Sequence, residues 1–228
     1  MPYRQSVDAP VGPGRVAWAG GFGGVCPIDP EIEEICRNAT LRFAELGAVV
    51  EEAHPSAEGA REAFQVFRGH NMAATHGHLL DTHRDKLKPE VIWNMEYGRG
   101  LSAEELRRAS LLQGRLYARF AAFFERFDLL CLPGAPVPPF PVEKRYVEAI
   151  NGLVMPTYID WVLGSSIITM TGCPVICLPC GFTRSGLPVG LQLVAPLRRE
   201  DRLLSAAKLF EDMIGIAPRL PIEPIVRH

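Results

Sequence analysis

Residues 14–51 read GRVAWAGGFGGVCPIDPEIEEICRNATLRFAELGAVVE. Gly14–Gly20 holds a short apolar run between glycines, the pattern of a buried strand. A glycine-rich turn follows over Gly20–Gly24. Asp29-Pro30-Glu31 then opens a helix, with Asp as N-cap, Pro at the first position and an acid in the first turn. Ile32, Ile35, Cys36, Ala39, Phe43 and Leu46 share one helical face, and Gly47 sits where a C-terminal cap belongs. Ala48-Val49-Val50 reads as a second strand. Strand, helix and strand in this order form the unit of a parallel sheet with a right-handed crossover.

Working outward, residues 57–83 have helical spacing, with Phe64 and Phe67 inward, whereas Leu87–Tyr97 fits neither period. Ser102-Ala103-Glu104-Glu105 is a capping box. The helix it opens is expected to run to about Phe127, turning Leu106, Ala109, Leu112, Leu116, Phe120, Phe123 and Phe127 inward. Asp128–Leu132 is a short buried strand. Five prolines between Pro133 and Pro141 make a rigid extended loop. Trp161–Met170 reads as a helix ended by Thr171-Gly172. Pro174–Cys180 and Val189–Val194 read as strands apolar on both faces, joined by a turn at Ser185-Gly186. Asp201–Ile214 is a final amphipathic helix. The expected fold is α/β, a mixed sheet flanked by helices, in a single domain over 1–228. Residues 1–13 are expected to be a flexible segment and 216–228 a tail.

Composition narrows the function. The 228 residues carry 24 Lys+Arg against 26 Asp+Glu, a net −2, with 47% apolar and 22% charged residues. Such a chain is globular rather than disordered or collagen-like. Near-neutral charge argues against nonspecific binding to nucleic acid or an anionic membrane. The N-terminus has no basic-then-apolar signal pattern, so a cytoplasmic location is the default, and the six cysteines read as reduced thiols. Trp161–Thr183 is uncharged and long enough to span a bilayer, but glycines, prolines and hydroxyls interrupt it.

Several clusters invite a chemical reading. His70, His76, His78 and His83 lie near Asp81 and Asp85, yet their spacing matches no common metal site. Cys173, Cys177 and Cys180 spell CxxxCxxC, an iron–sulfur spacing. On a strand, however, Cys173 and Cys177 face one way and Cys180 the other. Gly164-Ser165-Ser166 offers two serines without a nearby base, and helix serines bonded to backbone carbonyls are the plainer reading. GGFGG lacks the pattern of a phosphate cradle. No cofactor and no metal is expected.

Thr171–Pro196, TGCPVICLPCGFTRSGLPVGLQLVAP, goes further. It resembles the C-terminal signature of the amidase signature family, in which a Thr-Gly or Ala-Gly, a proline strand ending Pro-Cys-Gly, and Gly-Leu-Pro-x-Gly-Leu-Gln follow in that order. Phe127–Pro141, Cys26–Pro30 with its helix and the closing helix from Asp201 are also similar to the family, collinearly over residues 14–215. Departures are Leu132-Pro133-Gly134 where Thr-Pro-Thr is common, and Cys173 and Cys177 where aliphatic or small residues are usual.

The resemblance implies an amide hydrolase using a Ser–cis-Ser–Lys triad, with glycine-loop N–H groups holding the oxyanion. It covers only the C-terminal half of the family, while the triad belongs to the N-terminal half. No Gly-Gly-Ser-Ser-Gly run is present, and Lys86, Lys88, Lys144 and Lys208 match no family lysine. No catalytic residue is therefore expected here. The chain would be a fragment or one piece of a split enzyme, supplying pocket wall and sheet; the alternative is a noncatalytic binding or assembly module. By alignment Gln113, Tyr158 and Trp161 face the variable end of the substrate, and this uncharged set favours an uncharged or aromatic amide. The expected partners are a small-molecule amide in the complete enzyme, and either further copies of the chain or the missing N-terminal half.

Overall fold

The computed structural model describes residues 3–216. In chain order the elements are α1 (Tyr3–Asp8), β1 (Arg15–Trp18), α2 (Pro30–Leu41), β2 (Val49–Glu52), α3 (Ala60–His76), α4 (Leu79–Thr82), α5 (Pro89–Arg99) and α6 (Ala103–Phe123). They continue as β3 (Leu129–Pro133), β4 (Ala149–Ile150), β5 (Leu153–Val154), α7 (Leu163–Thr169), β6 (Val175–Phe182), β7 (Pro188–Val194) and α8 (Glu200–Ile214).

One five-stranded sheet organises the molecule, in the order β2-β1-β3-β7-β6. β1 pairs in parallel with β2 (Val16 opposite Val50) and with β3 (Ala17 opposite Leu130). β7 runs antiparallel to both β3 and β6. The parallel unit expected from residues 14–51 is present. Asp29 caps α2 by accepting from the Glu31 N–H at 2.9 Å, and a 3-10 turn over Arg42–Leu46 ends at Gly47 with φ 86°.

Two cores cover the two faces of the sheet. On one, Ile32, Cys36 and Phe43 meet Leu203 and Phe210 of α8 over Val16, Leu191 and Leu193. On the other, α3, α6 and α7 place Ala63, Leu116, Phe120 and Ile167 over Ala17, Leu130 and Val194. The alternation of β7 divides Leu193 from Val194 between them.

Several expectations change in detail. The ambiguous segment 87–97 is α5, begun by Pro89 at the first helical position. α6 stops at Phe123, short of Phe127. The chain must turn there so that Phe127 stacks on Phe123 at 4.7 Å and Asp128 accepts from Gly14 and Arg15 N–H at 2.9 and 3.0 Å. Where the sequence suggests a flexible segment over 1–13, α1 lies on α8, with Ser6 buried and its carbonyl accepting from Ser205 at 2.9 Å. The suggested tail falls outside the described residues from 217 onward. β6, read as buried on both faces, is an edge strand with Val175 and Cys177 exposed.

The capping box on α6 is formed: Glu105 N–H donates to Ser102 Oγ at 3.2 Å, and Ser102 N–H donates to Glu105 at 2.8 Å. Ser102→Ala should lower stability by about 1 kcal/mol. Urea unfolding checks this, with a lower midpoint and an unchanged slope.

Candidate functional site

β1 and β3 point their carboxyl ends the same way, and two concave surfaces gather there. Such strand ends are where open α/β sheets place ligands. β1 runs into Gly20 and the glycine-rich turn; β3 runs into Pro133-Gly134 and the proline loop. The turn is locally strained, because Phe22 holds φ 52° while buried beneath it. The segment before α7 closes the third side. A narrow cleft lies between Gly20, Cys26, Leu132, Pro133, Trp161 and Ser165.

Trp161 separates this cleft from a second, apolar groove of about 260 Å³ that includes Ile32, Val137, Phe140 and Val189. Its ring meets Phe140 edge to face at 5.7 Å. Around it the short hairpin β4–β5 supplies Val147, Ile150 and Met155 as a small core of its own. Asn151 at the hairpin turn donates to the Ile28 carbonyl at 2.6 Å, tying the hairpin to the start of α2. The hairpin was not read from the sequence, although Asn151-Gly152 is a strong hairpin signal; only two residues pair on each side.

The serines of α7 are engaged in ordinary packing. Ser165 Oγ accepts from Gln192 Nε2 at 2.8 Å, and Ser166 Oγ donates to the Val162 carbonyl at 3.1 Å. Neither has a lysine or histidine partner among the described residues.

The three residues expected from the family resemblance to face the substrate are placed differently. Trp161 lines both concavities. Tyr158 sits three residues away in a polar knot, where its hydroxyl accepts from Arg68 Nη2 at 3.1 Å and from Asn94 Nδ2. Its ring meets Trp93 and Tyr146 edge to face. Gln113 joins neither group; its amide donates to the Met170 carbonyl at 3.2 Å and ties α6 to the end of α7. Asp160, buried between Tyr158 and Trp161, accepts from Arg61, from Thr157 N–H and from Thr157 Oγ1.

The thiols are distributed across both faces. Cys180 packs in the α2 and α8 core and Cys173 in the opposite one. Cys36 and Cys180 sulfurs lie 3.9 Å apart. That contact, then burial, raises the Cys36 thiol far above its ordinary value, and burial pushes Cys26 up to about 12. These are thiols held in the neutral form. Among the described residues no three His, Cys, Asp or Glu side chains converge as a metal set, and no helix is long and apolar enough to cross a membrane.

Comparison with known proteins names the architecture. The family model described as Amidase matches residues 2–204. An acylamidase of Rhodococcus erythropolis is 29% identical over 93% of this chain and 45% of its own length. A 2-amino-5-chloromuconic acid deaminase of Comamonas testosteroni is 33% identical over 82% of this chain and 41% of its own. The crystal structure of a bacterial aryl acylamidase of the amidase signature family superposes with a TM-score of 0.82 at 20% identity, covering 97% of this chain and 49% of that one. The chain thus spans about half the length of the relatives it matches. With the two-core mixed sheet and the Thr171–Pro196 segment on β6 and β7, these matches show that the chain belongs to the amidase family.

Proposed function

We propose that this chain forms the pocket-wall half of an amide hydrolase, and that the nucleophilic serine, its bridging serine and its lysine are supplied by residues outside it. The observation that carries this reading is Trp161, standing between two concavities at the carboxyl ends of β1 and β3 while the nearby serines are tied to Gln192 and Val162. In the reaction, a serine oxygen adds to the amide carbonyl and the amine leaves with a proton. Water then releases the acid and restores the serine. The wall described here orients the amide. It presents Trp161, Phe140, Val137 and prolines without a charged side chain, which suits an uncharged or aromatic acyl or amine group. The names of two of the relatives, acylamidase and aryl acylamidase, agree with this class. Gln113 acts at one remove, by holding the end of α7.

The exposed edge of β6 supports a second component of the proposal. Val175 is 41% exposed there, and an open apolar edge is a site of association. The complementary half of the amidase fold is its proposed cover.

The test is hydrolysis of simple aryl amides together with fluorophosphonate labelling. The chain alone should show neither turnover nor label. Adding the complementary half in trans should restore turnover, and Trp161→Ala should then raise KM for aryl amides by roughly tenfold. Stoichiometric labelling of Ser165 or Ser166 would refute the assignment.

A further inference from the structure

Most arginines along α3 and its neighbours have an acid of their own. Arg61 pairs with Asp160, Arg99 with Asp81 and Arg108 with Glu62. Arg68, half-buried on α3, has no carboxylate partner among the described residues. Its Nε and Nη2 donate to the Tyr158 hydroxyl at 3.3 and 3.1 Å. A guanidinium carries five N–H donors, so the Nη1 edge remains available.

The groove beside Arg68 has an apolar floor, and the exposed Asn71, Thr75, His76 and Thr169 complete its lining. It encloses about 330 Å³ between α3 and the end of α7, floored by Phe64, Phe67, Met72 and Met170. It shares no residue with either concavity lined by Trp161. A second observation concerns the Tyr158 hydroxyl that Arg68 meets. Asn94 is completely buried, donates its amide to the same Tyr158 oxygen, and leaves its own Oδ1 without a hydrogen-bond partner. An orphaned buried acceptor is costly. Here it accompanies a Tyr158 oxygen that receives donors from two sides and so fixes the plane of the guanidinium.

We propose that this groove is a binding site for an amphipathic monocarboxylate, with the carboxylate on the Nη1 edge of Arg68 and the apolar body on Phe64, Phe67, Met72 and Met170. One arginine without a carboxylate partner among the described residues, beside an apolar groove floor, is complementary to one negative charge on an apolar stem. A fork of parallel N–H donors matches carboxylate geometry. Tyr158 and Asn94 are positioning residues that hold the fork. The proposal does not rest on the hydrolase reading, because binding is measured without turnover.

The probe is 4-phenylbutyrate, titrated by calorimetry at low salt against the neutral 4-phenylbutyramide. The acid should bind saturably and at least tenfold more tightly than the amide. Arg68→Gln should abolish that preference, Arg68→Lys should retain part of it, and Lys86→Gln, outside the groove, should leave it unchanged. Tyr158→Phe should reduce the acid-over-amide ratio severalfold while affinity for the amide stays constant, which loss of packing alone would not produce. NMR shifts on binding should map to Phe64, Phe67 and the methyls of Met72 and Met170. Equal affinity for acid and amide, shifts confined to other surfaces, or an undiminished acid preference in a folded Arg68→Gln protein would overturn the proposal.

Discussion

Asp160→Ala should destabilise the protein by about 2–3 kcal/mol and loosen the segment that carries Tyr158 and Trp161. The carboxylate is 8% exposed, whereas its partner Arg61 is 47% exposed. Removing one member of a fully buried pair costs roughly 3–5 kcal/mol; solvent reaching Arg61 reduces that here. The loss is more than an ion pair, because Asp160 also accepts both donors of Thr157 and so closes the turn into α7. Burial pushes the Asp160 carboxyl up, but the hydrogen bonds from Arg61 and Thr157 outweigh it and hold the group below its ordinary value. A depressed native pKa stabilises the fold fully above the unfolded value of about 3.9 and loses that contribution as pH falls through the lower native value. Urea midpoints of wild type and Asp160→Ala should therefore differ near neutrality and converge in acid. A gap that persists undiminished to pH 2 would show that the side chain matters through packing instead.

The sheet was legible because local rules and tertiary structure agree there. Asp29-Pro30 starts a helix by its own chemistry, Gly47 ends one, β1 is a short apolar run between glycines, and β2 opens on the Val49-Val50 pair just after Gly47. α5 was not legible for a physical reason. It meets α3 through Gly98, and it buries Asn94 and Met95 rather than a regular apolar stripe, so no period could appear. The edge position of β6 was hidden because its alternation is apolar on both faces, as in a central strand; only the order of strands distinguishes the two.

The site divides the same way. Trp161 was reached through resemblance, and the structure puts it on concave surface. Gln113 was reached equally, and its amide proves to be a strut to Met170. Arg68 and Asn94 were missed altogether. They lie 90 and 64 residues from Tyr158, and neither belongs to a local motif. An arginine in an amphipathic helix looks like a solvated side chain until the fold shows that it has no acid among the described residues.

Two glycine substitutions should move stability in opposite directions and test the helix layer that supports Arg68 and Asn94. At Gly98 on α5, an added Cβ would lie 1.9 Å from the Gly69 carbonyl oxygen and 2.4 Å from its carbon. The obstacle is the backbone of α3, which cannot rotate away as a side chain can. α3 and α5 must part, and overpacking of this kind costs about 3 kcal/mol, at the upper end of its range. Gly114 sits inside α6 with nothing within 4 Å of an added Cβ. Glycine in a helix interior is less favourable than alanine by about 0.5–1 kcal/mol, so Gly114→Ala should stabilise by that amount. Both changes add one methyl group to a helix, so intrinsic propensity favours both, and only the approach of α3 to α5 separates them. Urea midpoints should fall for Gly98→Ala and rise for Gly114→Ala. In Gly98→Ala the Trp93–Tyr97 stack, 5.7 Å between centroids, should also shift, because Tyr97 precedes the displaced residue and its ring lies against Gly69. Tryptophan fluorescence reads that movement. A Gly98→Ala protein as stable as wild type, with unchanged emission, would mean that the two helices do not meet at these glycines.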